Sequence, residues 1–115
     1  MKNKYLLTTA LFSVAFGACT FFSETPVSKA ADIDGMKIYL KHCKTCHGAD
    51  GNPTDLGTGL GARKFADPEW QAKTNDERII EQINEGTPEM MMPFKEKLTP
   101  EEIKALVPVI RGFKE

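Results

Sequence analysis

Residues 43 to 47 read Cys-Lys-Thr-Cys-His, two thiols separated by two residues with an imidazole directly after the second. On one helical turn two such thiols lie close enough to add across the two vinyl groups of a single porphyrin, and the next side chain reaches under the ring toward the metal. The pattern is that of a c-type haem attachment site, with Cys43 and Cys46 as covalent thioethers and His47 as the proximal iron ligand. Three bonds from five residues would then fix one large apolar cofactor, haem c.

Two other chemistries use the same letters. A dithiol of the thioredoxin kind needs a strand, a turn and a helix in a βαβ pattern, and no strand-like run lies near Cys43. Structural zinc takes four Cys or His ligands. The remaining candidates are His42, in the same turn, and Cys19, far upstream in an apolar stretch.

The elements that position the motif lie in the second part of the chain. Met1 to Lys4 is basic, Tyr5 to Phe22 is apolar, and small residues end the stretch at Ala30, the pattern of a secretory signal. Cleavage after Ala30 leaves 85 of the 115 residues, and residues 31–115 form the expected domain. A lipoprotein signal ending before Cys19 is the alternative, with Phe16-Gly17-Ala18 preceding the lipidated cysteine. Export places Cys43 and Cys46 where paired thiols oxidise, and haem ligation would consume them first.

Removing Lys2, Lys4, Lys29 and Glu24 leaves twelve basic and fifteen acidic residues, a net charge of −3. That balance, with no basic run, excludes a nucleic-acid partner. A chain of this size is marginal for a core of its own, and a haem would supply apolar volume.

The stretch Ala31-Asp32-Ile33-Asp34 offers the cap of a first helix whose stripe Met36, Tyr39, Leu40 and Cys43 carries the first thiol to the cofactor. Gly48 to Ala62 is loop by composition. Trp70 can bury its ring and still donate its N–H, which suits the border where haem propionates meet protein; a core ring is the other reading. Arg63 can pair with a propionate through its planar fork or stand as a solvated base. Thr74 and Glu77 spell a capping box before Ile79, Ile80 and Ile83. Thr99, Pro100 and Glu102 spell another before Ile103, Leu106, Val107 and Ile110, and Pro108 interrupts that last helix.

Gly35-x-x-x-Tyr39-x-x-x-Cys43, the haem motif, the glycine-rich stretch, the methionine run and Leu98-Thr99-Pro100-Glu101-Glu102-Ile103 together resemble a class I monohaem cytochrome c of the exported bacterial type. The resemblance implies an all-α fold, with crossing N- and C-terminal helices and a short middle helix around one covalent haem. Its pattern Met-Pro-x-Phe supplies the second axial ligand. Here the run is Met90-Met91-Met92-Pro93-Phe94: spacing from Phe94 selects Met91, adjacency to proline selects Met92, and the spacing makes Met91 the choice and Met92 the alternative. Val109 and Pro108 depart from the pattern, which commonly has an aromatic and a helix former there.

The resemblance implies a soluble or membrane-tethered electron carrier, periplasmic or at a membrane surface, that meets redox partner proteins and touches a membrane only if lipidated at Cys19. His/Met ligation fills both axial positions and raises the potential. No catalytic acid, base or nucleophile pair is present, so no enzyme is expected. A haem-based gas or peroxide sensor and a haem subunit of a larger oxidoreductase complex are the alternatives. Lys41, Lys44, Lys64, Lys95 and Lys97 flank the motif or the methionine run; a basic docking rim and ordinary solvated residues are the two readings.

Overall fold

The computed structural model describes residues 32–114 as six helices: α1 (Gly35–His42), α2 (Lys44–His47), α3 (Asp55–Gly59), α4 (Pro68–Lys73), α5 (Asp76–Glu85) and α6 (Pro100–Gly112). Among the described residues there is no strand, only one isolated antiparallel bridge between Thr87 and Met91. None of the described helices is long and apolar enough to cross a membrane. The signal reading, the cut after Ala30 and Cys19 lie outside the described residues.

The two long-range anchors are α1 and α6, which pack against each other. Asp34 caps α1, its Oδ1 accepting from the Lys37 N–H at 3.0 Å. A Cβ at Gly35 would collide with the carbonyl oxygen of Ala105 and stand 3.1 Å from a methyl of Val109. Glycine there lets the two helices touch. The same face of α1 carries Tyr39, which is completely buried, and half-buried Ile38. The expected stripe divides at this point: Met36 and Leu40 are 42% and 43% exposed, because the face that meets α6 is set by Gly35 and Tyr39, and Met36 and Leu40 lie to one side of it.

Helix α6 begins as the sequence predicts. Thr99 accepts from the Glu102 N–H, the Glu102 carboxylate accepts from the Thr99 N–H at 2.8 Å, and Pro100 occupies the first turn. Ile103, Leu106, Val107 and Ile110 are all buried; each such side chain contributes about 1.5–3 kcal/mol through burial. The helix continues through Pro108 to Gly112. Pro108 and Lys104 are both exposed, so the carbonyl that the proline cannot serve lies on the solvent side.

Between these anchors lie four short helices where one was expected. The stretch from Gly48 to Ala62 is not all loop: Thr54 caps α3 by accepting from the Gly57 N–H at 3.1 Å. Helix α4 has Asp67 as cap and proline in its first turn. The cap of α5 is Asn75, whose Oδ1 accepts from the Arg78 N–H at 2.8 Å, one residue beyond the Thr74 that the capping-box pattern selects. Ile79 and Ile83 of α5 are buried as predicted.

A polar clasp ties α4, α5 and α6 together. Buried Gln71 donates to the carbonyls of Phe65 (2.7 Å) and Ile110 (2.9 Å). Arg111 donates to the Gln71 carbonyl and side-chain oxygen, to the Thr74 carbonyl and to Asp76.

Candidate haem-binding site

Cys43 stands at the joint of two helices. Its N–H donates to the Tyr39 carbonyl at 2.8 Å, ending α1, and its own carbonyl accepts from the Cys46 and His47 N–H groups at 3.2 and 2.9 Å, opening α2. The single turn that follows puts Cys46 and His47 in place. Both cysteines are unbridged and half-buried. Burial, and then the neighbouring Cys46, push the Cys43 thiol up to about 11.

Helix α3 locks this turn from outside. The Thr54 hydroxyl donates to the Thr45 carbonyl at 2.7 Å, and its N–H donates to the Cys46 carbonyl at 3.0 Å. A Cβ on Gly57 would collide with that same Cys46 carbonyl, so the close approach needs glycine. This is what the glycine-rich stretch positions.

From the other side, the Tyr39 hydroxyl donates to the carbonyls of Gly48 (2.8 Å) and His47 (3.3 Å). The His47 ring stacks on Phe65, with centroids 4.4 Å apart and planes 14° from parallel. Its Nδ1 is buried and has no partner of hydrogen-bond geometry. Burial lowers the imidazole pKa, opposed by the nearby backbone of Arg63. A neutral imidazole is the form that binds a metal.

The methionine run forms a tight turn. The Thr87 N–H donates to the Met91 carbonyl at 2.7 Å, and the Met91 N–H donates back at 2.9 Å. Gly86 has φ +64°, and a Cβ there would collide with the Met91 carbonyl; Glu89 also sits at φ +64°, in the left-handed region that a non-glycine residue seldom adopts. Of the three methionines, Met91 is half-buried against the core while Met90 and Met92 are exposed. The Gln82 amide donates to Met91 Sδ at 3.7 Å and to the Thr87 hydroxyl at 2.9 Å. Phe94, buried, anchors the far end of the turn by donating its N–H to the Ile83 carbonyl at 3.0 Å.

The donor set fits haem c: two free thiols on one turn, a half-buried imidazole directly after them, and a half-buried thioether. Sequence reasoning did not find Gln82. Its signal was a polar residue three positions after Ile79 and one before Ile83, on the apolar side of α5.

Arg63 and Trp70 both line a shallow cavity of about 300 Å³, together with Pro53, Thr58 and Asp67. Trp70 also packs on Phe65, centroids 5.3 Å apart, so its ring serves the core as well. Lys95 is paired with Glu85 at 2.8 Å, and Lys97 lies against Met92.

Residues 30–108 match the family described as cytochrome c oxidase, cbb3-type, subunit III. Cytochrome c6 of Nostoc sp. strain PCC 7120 is 32% identical over 107 residues, covering 93% of this chain and 86% of the relative. The cbb3-type cytochrome c oxidase subunit FixP of Bradyrhizobium diazoefficiens is 31% identical over 92 residues, 79% of this chain but only 31% of FixP. The solved structure of the KustC0563 c-type cytochrome is 89% identical with a TM-score of 0.71, covering 72% of this chain and all of that one. With its cysteine pair, its histidine and its helical frame, this chain belongs to the c-type cytochrome family that the cbb3-type subunit III description represents, a small all-α protein with covalently bound haem c.

Proposed function

We propose that the chain is an exported one-electron carrier in which Cys43 and Cys46 form the thioethers, His47 is the proximal ligand and Met91 the distal one. Haem c bound there supplies exchange between ferric and ferrous iron. The observation that carries the reading is the unequal setting of the three methionines: only Met91 is drawn in against the core, with its sulfur steered by Gln82. The rest of the chain holds and orients. Tyr39 and Thr54 pin the carbonyls of the attachment turn, Phe65 backs the imidazole, and the Thr87–Met91 bridge sets the height of the thioether. Arg63 and Trp70, sharing one cavity, are suited to the propionate edge. In this reading residues 1–30 are the export signal, residues 31–115 the working domain, and redox proteins the partners, with a membrane contact only if Cys19 is lipidated.

The similarity to FixP supports a second reading, a haem subunit held in a larger oxidase complex. Purification from the native membrane under mild detergent separates the two, because a subunit remains with the complex and a carrier does not.

The ligand assignment is tested by absorption spectra of ferric holoprotein. Met91→Ala is expected to abolish the sulfur-to-iron charge-transfer band, and Met92→Ala to leave it. Loss in Met92→Ala alone would move the distal ligand by one residue.

A further inference from the structure

Met90 and Met92 are equally open to solvent, at 56% and 55% exposure, yet their sulfurs stand in different chemical settings. The Lys97 ammonium lies 3.2 Å from Met92 Sδ. Among the described residues no donor reaches the sulfur of Met90. Met91, between them, is half-buried with its sulfur facing the Gln82 amide. Two exposed thioethers flanking an inward one, with a proton donor on only one of the two, is an arrangement with a direction to it.

We propose that Met92, assisted by Lys97, is a modification site for peroxide-type oxidants and that it shields Met91. The Met92 sulfur attacks one oxygen of hydrogen peroxide; an S–O bond forms as the O–O bond breaks, and two electrons pass from sulfur to the departing oxygen. That oxygen leaves as water on taking a proton from the Lys97 ammonium. The hydroxysulfonium then releases its proton, Lys97 recovers one, and the products are methionine sulfoxide and water. The sulfoxide oxygen is a far stronger acceptor than the thioether, so the Lys97 ammonium left beside it holds the modified turn to the start of the α6 connection. The value of the shield rests on Met91 being the distal ligand; the site itself does not.

Holoprotein is exposed to substoichiometric hydrogen peroxide, and sulfoxide at each of the three positions is quantified by fragmentation of the peptide that contains them. Because Met90 and Met92 have equal exposure, Met90 is the internal control. Met92 is expected to oxidise on the order of 3-fold faster than Met90, the scale of one modest hydrogen bond. Lys97→Leu is expected to bring the two rates together. Met92→Leu is expected to raise oxidation at Met91 relative to that at Met90. Equal rates at Met90 and Met92 in the parent, or an unchanged ratio in Lys97→Leu, overturns the site, and an unchanged Met91-to-Met90 ratio in Met92→Leu overturns the shield. Failure of the ligand assignment is read separately, from the charge-transfer band of untreated Met91→Ala, and the Met92-to-Met90 ratio does not depend on it.

Discussion

Replacing Gly35 with alanine sets two effects of opposite sign against each other. In an exposed helix the change gains about 1 kcal/mol, because alanine gives up less backbone freedom than glycine on becoming helical. At Gly35 the new methyl meets the carbonyl oxygen of Ala105, which belongs to the α6 backbone and cannot rotate away. The Val109 methyl 3.1 Å off closes the side route. Helix α1 must therefore retreat by about 1 Å, the kind of displacement that overpacking a close-fitting site produces. Tyr39, fully buried one turn along the same helix, moves with it, and so does the Cys43 joint. Overpacking of this kind costs about 1–3 kcal/mol, and lost packing at Tyr39 adds to it. The expected net loss is about 2 kcal/mol, a fall in Tm of about 10 °C for a domain this small. Thermal unfolding of holoprotein followed by far-UV circular dichroism measures it. Val109→Ala in the same chain should recover little, since the carbonyl is the main obstacle. A Tm equal to or above that of the parent would refute the close crossing of α1 and α6.

Gln82→Leu removes the donor facing Met91 Sδ and is expected to lower the midpoint potential by about 20–60 mV, a bond of about 0.5–1.5 kcal/mol converted for one electron, as redox titration would show. Arg111→Met strips the bonds to Gln71, Thr74 and Asp76 and should lower urea stability by about 2 kcal/mol while leaving the haem spectrum in place. The double change Cys43→Ala, Cys46→Ala should yield a chain from which acid and organic solvent extract all haem. Haem retained after that wash would contradict thioether attachment.

Much of this architecture can be read from local chemistry. Asp34 and the Thr99–Glu102 box announce helix starts because a cap needs only its own next three residues, and both stand where the sequence predicts them. The same rule failed by one residue at Thr74-Asn75, where two capable caps adjoin and packing of Ile79 and Ile83 chooses between them. Helix α3 was hidden by its glycines, of which Gly57 serves contact with Cys46 rather than helix formation. The outward turn of Met36 and Leu40 follows from which face Gly35 offers to Ala105, a fact about two helices far apart in the chain. The Gln71–Arg111 clasp spans 40 residues and has no local signature at all. The motif Cys43, Cys46 and His47 shows in the spacing alone, whereas the contact of Gln82 with Met91 needs the fold to bring α5 to the methionine turn.

The pinning of the attachment turn bears on speed. Electron transfer is slowed by whatever must rearrange when a charge appears or leaves, so a ligand free to tilt adds to the barrier and a ligand already held does not. The carbonyls of Thr45, Cys46, His47 and Gly48 are each engaged, by Thr54 on one side and the Tyr39 hydroxyl on the other, and the His47 ring lies flat on Phe65. None of those three side chains is an iron ligand in this assignment. With His47 as the proximal ligand they would keep the reorganisation energy of that side low, which would make Tyr39, Thr54 and Phe65 determinants of how fast an electron passes, whatever the driving force between donor and acceptor.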